Sequence, residues 1–120
     1  MNRIREAFIN KKNILSIYFT AGYPNLDDTM AIIKELDKSG VDMIEIGLPF
    51  SDPLADGPTI QESSTKALIN GMNTNVLFEQ INNLRSVTNL PIIIMGYLNP
   101  IIQFGIEKFC KKCNECEIDG

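Results

Sequence analysis

Three acidic side chains near the middle of the chain have the types and spacing for proton chemistry. Glu45, Asp52 and Asp56 lie within the segment IEIGLPFSDPLADG of residues 44–57. Glu45 ends an apolar strand pattern, whereas the two aspartates follow in a turn rich in Gly and Pro. A carboxylate at the end of an otherwise apolar strand is costly to bury unless it has a use. Glu45 is therefore the strongest candidate for a functional residue.

Two carboxylates in different surroundings can take different parts in one reaction. Burial favours the neutral form of a carboxyl group, which suits Glu45 to give and accept a proton. On its more polar loop, Asp56 is expected to stay ionised and to hold an N–H group or a developing positive charge. Asp52 is explained equally well as a residue that braces the turn, because Asp is favoured there. Glu45 and Asp56 are the predicted catalytic pair.

A pocket beside these acids is predicted from residues at the ends of neighbouring elements. These residues would surround a flat apolar ligand, although each of them taken singly is more often plain core: Tyr18, Ile60, Met95 and Tyr97. The chain contains neither of the common glycine-rich phosphate motifs and no cluster of Arg. In barrels the phosphate site commonly comes from the loops after strands seven and eight.

Strand and helix patterns alternate along the chain. Residues 14–20, 41–46 and 91–97 have the β-branched or continuous apolar character of buried strands. Apolar spacing and end signals predict helices over residues 26–39, 59–70, 75–87 and 106–115. Residues 117–120 are expected to lead into a fourth strand.

Three local signals mark the ends of these elements. Asn25 is the expected N-cap of the first of these helices. Thr59 with Glu62 three residues later has the pattern of a capping box. Asn99-Pro100 is expected to end the third strand.

Strand–helix alternation with unbroken apolar strands predicts a parallel β/α fold. An open nucleotide-binding sheet would carry a glycine-rich turn after its first strand, whereas the turn here is TAGYPN. In a TIM (β/α)8 barrel, catalytic residues follow the carboxyl ends of the strands, which is where Glu45, Asp56 and Tyr97 lie. The sequence therefore favours the barrel.

A complete barrel needs ~250 residues, whereas this chain has 120 and patterns for 3 to 4 βα units. We expect residues 1–120 to form the N-terminal part of a single β/α-barrel domain, truncated after roughly half of it. Such a piece would be marginally stable and inactive by itself.

Composition excludes several other functions. The net charge is −4 and no basic run occurs, which argues against binding to nucleic acid or to an acidic membrane surface. No secretory segment or membrane-spanning stretch is visible, so we expect a cytoplasmic protein.

Cys110, Cys113 and Cys116 invite a metal or iron–sulfur hypothesis. Together with Ile106 and Phe109 they fall on one helical stripe, and Cys packs well as a small hydrophobe. There is no His and no fourth Cys to complete a site. The packing interpretation is favoured, and no metal site is predicted.

The segment IEIGLPFSDPLADG, continued by PTIQ at residues 58–61, resembles the signature motif of the tryptophan synthase alpha chain family. FTAGYPN at residues 19–25 and MGYLNP at residues 95–100 are also similar to that family. The resemblance covers essentially the whole chain but only about the first half of the family's barrel.

This resemblance implies a lyase of tryptophan biosynthesis that cleaves indole-3-glycerol phosphate into indole and glyceraldehyde 3-phosphate by a retro-aldol reaction. Glu45 matches the general acid/base that protonates the ring carbon bearing the side chain and helps to deprotonate the glycerol hydroxyl. Asp56 matches the acid that holds the indole N–H. Tyr18, Ile60, Met95 and Tyr97 align with pocket positions.

The family also implies a partner. The alpha chain docks on a beta chain in an α2β2 tetramer, and indole passes to the beta chain for condensation with L-serine. The contact side is matched by Pro49, Asp52, Pro53 and Asn99. Pyridoxal phosphate belongs to the beta chain, so no cofactor is expected in this chain.

Two other functions stay open at this point. A natural product ending at Gly120 would be a non-catalytic partner of the beta chain. Another phosphate-sugar barrel, such as an isomerase of the same pathway, would need a different motif on the second strand.

Overall fold

Residues 2–120 are described by a computed structural model, in which a parallel three-stranded sheet carries helices on one face. The strands are β1 (Ser16–Thr20), β2 (Met43–Gly47) and β3 (Ile92–Met95), and they lie side by side in chain order. The helices are α1 (Arg3–Asn10), α2 (Thr29–Lys38), α3 (Pro58–Ile69), α4 (Thr74–Gln80), α5 (Leu98–Phe104) and α6 (Ile106–Glu115). Short 3₁₀ helices cover Leu26–Asp28 and Leu84–Ser86.

The two faces of the sheet have different roles. Ile44, Ile46 and Ile92 are fully buried and join the helices in one core, together with Ile33, Leu77, Ile81 and Leu84. The alternate residues form the other face, on which Tyr18, Glu45 and Ile93 lie in register across the three strands. In a closed barrel this second face is the inner wall. The strand alternation of β2 therefore turns Glu45 toward the barrel interior.

The outer helices are joined by a cluster of three aromatic rings. The ring of Phe78 on α4 lies 5.7 Å from that of Phe104 on α5 and 5.3 Å from that of Phe109 on α6, measured between centroids. The ring of Phe104 lies 6.3 Å from that of Phe109, nearly at a right angle. Aromatic pairs at these centroid distances are favourable, so they hold α5 and α6 against α4.

The sequence predicted the three strands and their parallel arrangement, and both are confirmed with slightly shorter bounds. The helix over residues 106–115 is confirmed at both ends. The prediction of one helix over residues 75–87 is wrong, because α4 ends at Gln80 and only a 3₁₀ turn follows.

The predicted capping box is also wrong. Helix α3 begins at Pro58 with Gly57 as its N-cap, and the Glu62 carboxylate pairs with the Lys66 ammonium at 2.8 Å instead. Pro is favoured at the first position of a helix because its missing N–H has no partner there anyway. Thr59 therefore lies inside the helix rather than before it.

Two helices were missing from the sequence predictions. Helix α1 was missed although Ile4, Ala7 and Phe8 have helical spacing. The Asn2 side chain caps it by accepting from the Ile4 N–H at 2.8 Å, and none of its residues is buried. Helix α5 includes Asn99 and Pro100, which were expected only to end the third strand, and β3 does end before them, at Met95. Pro is tolerated in the first turn of a helix, so it allows α5 to begin here.

Residues 117–120 lie beside β3. The Asp119 N–H donates to the Ile92 carbonyl at 2.9 Å, and the Ile94 N–H donates to the Gly120 carbonyl at 2.9 Å. A parallel ladder would place both bonds on the same residue, so these two do not make a regular strand. The segment nevertheless occupies the position beside β3 where a fourth strand was expected.

The amino end of the sheet is held by paired charges. The buried Asp119 carboxylate contacts the guanidinium groups of Arg85 at 2.7 Å and Arg3 at 3.1 Å. It also accepts the Ile92 N–H at 2.9 Å. At the start of β2, the Asp42 carboxylate bonds to the Lys11 ammonium and to the Leu15 N–H. These contacts tie α1 and the chain end to the strands.

Candidate active site

The Glu45 side chain lies half-buried on the inner face of the sheet. Its Oε1 accepts a hydrogen bond from the Ser16 hydroxyl at 2.6 Å. Ser16 is opposite Met43 in the register, two residues nearer the amino end of the sheet than Tyr18, which is opposite Glu45. The carboxylate is therefore drawn toward the amino end of the inner face.

Asp56 is positioned by the loop between β2 and α3. Its N–H donates to the Pro53 carbonyl at 3.0 Å, and its carbonyl accepts from the Gln61 amide at 2.9 Å. The Tyr97 hydroxyl donates to the Asp56 Oδ2 at 3.2 Å and accepts the Ala55 N–H at 3.0 Å. A single phenol thus ties both the loop backbone and its carboxylate to the end of β3.

Tyr97 is itself held by the start of the same loop. Its ring lies 5.2 Å from that of Phe50, between centroids, at an angle of 36°. The Phe50 N–H donates to the Ser64 hydroxyl at 3.2 Å, which links the loop to α3. The loop is therefore fixed at several points before any ligand is present.

A cavity of about 240 Å³ opens at the carboxyl ends of the strands. Its lining consists of Tyr18, Leu48, Ala55, Asp56, Ser64, Met95, Gly96 and Tyr97. Ligand pockets usually have ~300 Å³ or more. The cavity is smaller because its wall is formed by only some of the strands of a barrel.

Tyr18 lies between the two acids. A Cβ at Gly47 would overlap the Tyr18 hydroxyl, so the ring packs directly over the backbone of β2. Burial raises the pKa of the Tyr18 phenol, and the nearby charges of Asp56 and Glu45 raise it further. Tyr18 therefore stays neutral at ordinary pH and keeps a proton that it can donate.

The two predicted catalytic acids have no cationic partner. Within residues 2–120, none of the ion pairs between Lys or Arg and a carboxylate involves Glu45 or Asp56. Acids with purely structural roles are commonly neutralised by such pairs, as Asp119 is here. Both acids are therefore left available for other interactions.

The structure brings together only part of the predicted site. Tyr18, Asp56, Met95 and Tyr97 share the cavity, as the sequence led us to expect. Glu45 is not among the lining residues, because its carboxylate is directed to Ser16. Ile60 is also outside the lining and lies half-buried in the first turn of α3.

Sequence reasoning missed four residues of the lining: Leu48, Ala55, Ser64 and Gly96. Ser64 lies one helical turn after Ile60, so helical spacing carried a signal for it. Ala55 lies between the predicted acids on the same loop. Nothing in the pattern distinguished Leu48 or Gly96 from ordinary residues at strand ends.

The residues predicted to face a partner differ in exposure. Asp52 and Asn99 are exposed, whereas Pro49 and Pro53 are buried. Leu54, which follows Pro53 in the same loop, is 89% exposed. The outer surface of this loop therefore combines an acid with a large apolar side chain.

The predicted packing is confirmed for two of the three cysteines, because Cys116 belongs to the core and Cys113 packs against it. Cys110 is exposed, Cys113 is half-buried and Cys116 is buried just beyond the end of α6. Burial raises the pKa of Cys113 to about 11. Among residues 2–120, no three His, Cys, Asp or Glu side chains are grouped to hold a metal ion. No helix in that range is long and apolar enough to cross a membrane.

The parallel sheet and the acids in the loop at its carboxyl end define part of a β/α barrel with a candidate active site. A family model for the tryptophan synthase alpha chain matches residues 4–120. The chain therefore belongs to the tryptophan synthase alpha chain family.

Individual relatives agree with the family model. The tryptophan synthase alpha chain of Flavobacterium psychrophilum is 69% identical over 120 residues, which are all of this chain and 47% of the relative. The tryptophan synthase alpha chain of Bacteroides thetaiotaomicron is 60% identical over 121 aligned residues. The alignment covers all of this chain and 47% of that relative. The chain thus spans about half the length of the curated relatives it matches.

Solved structures show the same fold. Tryptophan synthase subunit alpha from Legionella pneumophila superposes with a TM-score of 0.93 at 39% identity, over all of this chain and 48% of that one. A chain of the tryptophan synthase complex from Pyrococcus furiosus gives a TM-score of 0.83 at 39% identity, over 92% of this chain and 45% of that one. These matches confirm the predicted β/α-barrel class. The chain corresponds to about half of such a barrel.

Proposed function

We propose that this chain supplies the acid-bearing half of a lyase that cleaves indole-3-glycerol phosphate into indole and glyceraldehyde 3-phosphate. The observation that carries the proposal is the Asp56 carboxylate, held by Tyr97 at the rim of the cavity with no cation beside it. A carboxylate in that position can accept the indole N–H as positive charge develops on the ring. Its ligand would be an aromatic ring in an otherwise apolar pocket.

Glu45 is proposed as the general acid/base. In the forward direction it would protonate the ring carbon that bears the side chain and help to remove the proton of the glycerol hydroxyl, so that the carbon–carbon bond breaks toward indole. Its place on the inner face, in register with Tyr18, supports this role. The Tyr18 phenol, kept neutral by burial, is proposed to pack against the ring of the substrate.

A beta chain is the proposed partner, in an α2β2 assembly through which indole reaches the second active site. Asp52 and Asn99, both exposed, and the outward side of the loop near Leu54 support a contact there. Pro49 and Pro53 would act by shaping this loop, because they are buried within the chain. Pyridoxal phosphate is proposed for the beta chain alone, and a cytoplasmic location is proposed for the assembly.

The reaction is tested in the complete protein that contains this chain, assayed for indole release from indole-3-glycerol phosphate. Glu45→Gln is expected to lower kcat about 10²- to 10⁴-fold, since that is what a general acid/base contributes. Asp56→Asn is expected to lower it about 10²-fold, because the amide offers no negative charge. Neither change should alter the free energy of unfolding by more than about 1 kcal/mol.

The matched control is Asp52→Asn, which changes an exposed acid on the same loop that is outside the cavity lining. It is expected to leave indole release by the isolated protein unchanged. It should weaken binding to the beta chain, measured by calorimetry. Normal turnover in Glu45→Gln would refute the proposed mechanism.

A further inference from the structure

The turn at the end of helix α3 needs a glycine. The Gly71 N–H donates to the Leu68 carbonyl at 3.0 Å, and the Met72 N–H donates to the Ala67 carbonyl at 3.0 Å. These two bonds are those of a Schellman motif, in which the residue after the helix has a left-handed backbone. Gly71 has a φ of 100°, a conformation that residues with a side chain rarely adopt. The turn itself therefore favours glycine at position 71.

The preceding residue, Asn70, joins this turn to the loop after β1. Its side-chain amide nitrogen donates to the Gly22 carbonyl at 3.0 Å and to the Pro24 carbonyl at 2.8 Å. An amide nitrogen carries two hydrogens, so both are used. The two segments also pack closely, because a Cβ at Gly22 would lie 2.6 Å from the Met72 Cβ. The two bonds that Asn70 donates, here called the Asn70 tie, therefore hold the loop after β1 against the end of α3.

An Asn-Gly pair is also chemically reactive. The backbone nitrogen of the glycine can attack the side-chain carbonyl carbon of the asparagine. A new C–N bond then forms, and the amide nitrogen leaves as ammonia with the proton that the glycine nitrogen loses. Water opens the resulting cyclic imide and gives aspartate or isoaspartate. Glycine favours the attack because it has no side chain to hinder it. Asn70 is the only asparagine of the sequence that is followed by glycine, and both residues are exposed.

The folded structure opposes this reaction. The N–H of Gly71 is bonded to the Leu68 carbonyl, and the side chain of Asn70 is fixed by the Asn70 tie. The backbone of Asn70 is helical, with φ −68° and ψ −12°, and it must rotate before the glycine nitrogen can reach the side-chain carbonyl. Helix ends open locally at a lower free energy than that of global unfolding. The reaction is therefore expected from molecules in which the end of α3 has opened.

We propose that Asn70-Gly71 is a deamidation site that the fold protects and whose product cannot restore the Asn70 tie. A carboxylate at position 70 has no hydrogen to donate, and its negative charge would face the carbonyl oxygens of Gly22 and Pro24. Each reaction thus converts a reversible opening into a permanent separation of α3 from the loop after β1. The inference is independent of the proposed function, because it concerns the lifetime of the folded chain rather than its catalysis.

The chemical step is tested by incubating the complete protein in mildly alkaline buffer, with and without urea. Mass spectrometry of the tryptic peptide of residues 67–85 detects the replacement of NH2 by OH at Asn70. The reaction should be at least about tenfold slower in the folded protein than in urea, because it requires opening of α3. Asn73 and Asn75 in the same peptide are internal controls, since neither is followed by glycine. Equal rates in the two solutions would overturn the protection, and no reaction of Asn70 in urea would overturn the site.

The structural consequence is tested by comparing Asn70→Asp with Asn73→Asp, which is the same chemical change three residues later. The Asn73 side chain accepts the Val76 N–H at the start of α4, a bond that Asp makes equally well. Asn70→Asp should lower Tm by about 4–8 °C, because two donated bonds are lost and a charge faces two carbonyl oxygens. Asn73→Asp should change Tm by less than about 2 °C. The same Tm in the two variants would overturn the proposal that the product cannot restore the Asn70 tie.

Discussion

The two ends of the sheet use the same kind of side chain in opposite ways. At the amino end, the Asp119 carboxylate is buried among two guanidinium groups and a backbone N–H. At the carboxyl end, the Asp56 carboxylate accepts a hydrogen bond from the phenol of Tyr97 and from no other side chain of residues 2–120, beside a cavity. Barrels commonly separate stability and chemistry in this manner between their two faces.

The difference teaches how to tell a structural acid from a reactive one. Asp119 has its charge neutralised, so its carboxylate has no capacity left for a ligand. Asp56 is oriented by a neutral donor, which fixes its place without cancelling its charge. The partner of an acid is therefore more informative than its degree of burial. Three changes test this contrast.

The largest effect is expected at the amino end. Asp119→Ala would leave Arg85 and Arg3 without their shared partner, and breaking a buried ion pair on one side costs about 3–5 kcal/mol. The free energy of unfolding, measured by urea denaturation of the complete protein, should fall by that amount. Activity per folded molecule should not change. A loss of stability below about 1 kcal/mol would remove the contrast between the two ends.

Tyr97→Phe is expected to lower the free energy of unfolding less than Asp119→Ala does and to lower activity more. The change removes the bonds to Asp56 and to the Ala55 N–H, which should lower the free energy of unfolding by about 1 kcal/mol. Loss of the orientation of Asp56 should lower kcat/KM for indole release about tenfold. Tyr23→Phe is the control, because Tyr23 is outside the cavity lining. Equal activity in the two variants would show that Asp56 needs no support from Tyr97.

The smallest expected effect is the pH dependence that Asp42 gives to stability at the amino end of the sheet. The Leu15 N–H and the Lys11 ammonium lower the pKa of Asp42. Its folded-state pKa is therefore below the unfolded value of ~3.9, and its stabilising effect is complete above that pH. The effect is lost as the pH falls through the folded-state pKa.

Thermal melting of the wild type and Asp42→Asn from pH 7 to pH 2 measures this. The wild type should have the higher Tm at pH 7, and the two melting curves should converge in acid. A difference that grows as the pH falls would contradict the assigned sign.

Much of this architecture was predictable because its signals are local. Runs such as PIIIMGY predict buried strands by composition alone, and all three predicted strands are present. Helix α6 was predicted at both ends, because its apolar spacing and its preceding glycine agree. The strand ends were less accurate, since hydrogen bonding to a neighbour rather than composition ends a strand.

The errors arose where the chain resolves competing signals by tertiary contact. Asn99-Pro100 was predicted only to end the strand, yet α5 forms across these residues and packs through Phe104 onto Phe78. The candidate site shows the same limit. Spacing predicted Tyr18, Asp56, Met95 and Tyr97 in one cavity, but the direction of the Glu45 side chain depends on Ser16 across the neighbouring strand. No local pattern in the sequence carries that information.

The strand order β1-β2-β3 has a consequence for synthesis on the ribosome. Each strand pairs with the one made just before it, so a nascent chain can add strands in the order in which they emerge, with only local loops to close. The contacts of Asn2 and Arg3 with Glu117 and Asp119 are exceptions, because they join residues 114 to 117 positions apart. These contacts form only after the three strands have been made, so α1 is fastened after them although it is synthesised first.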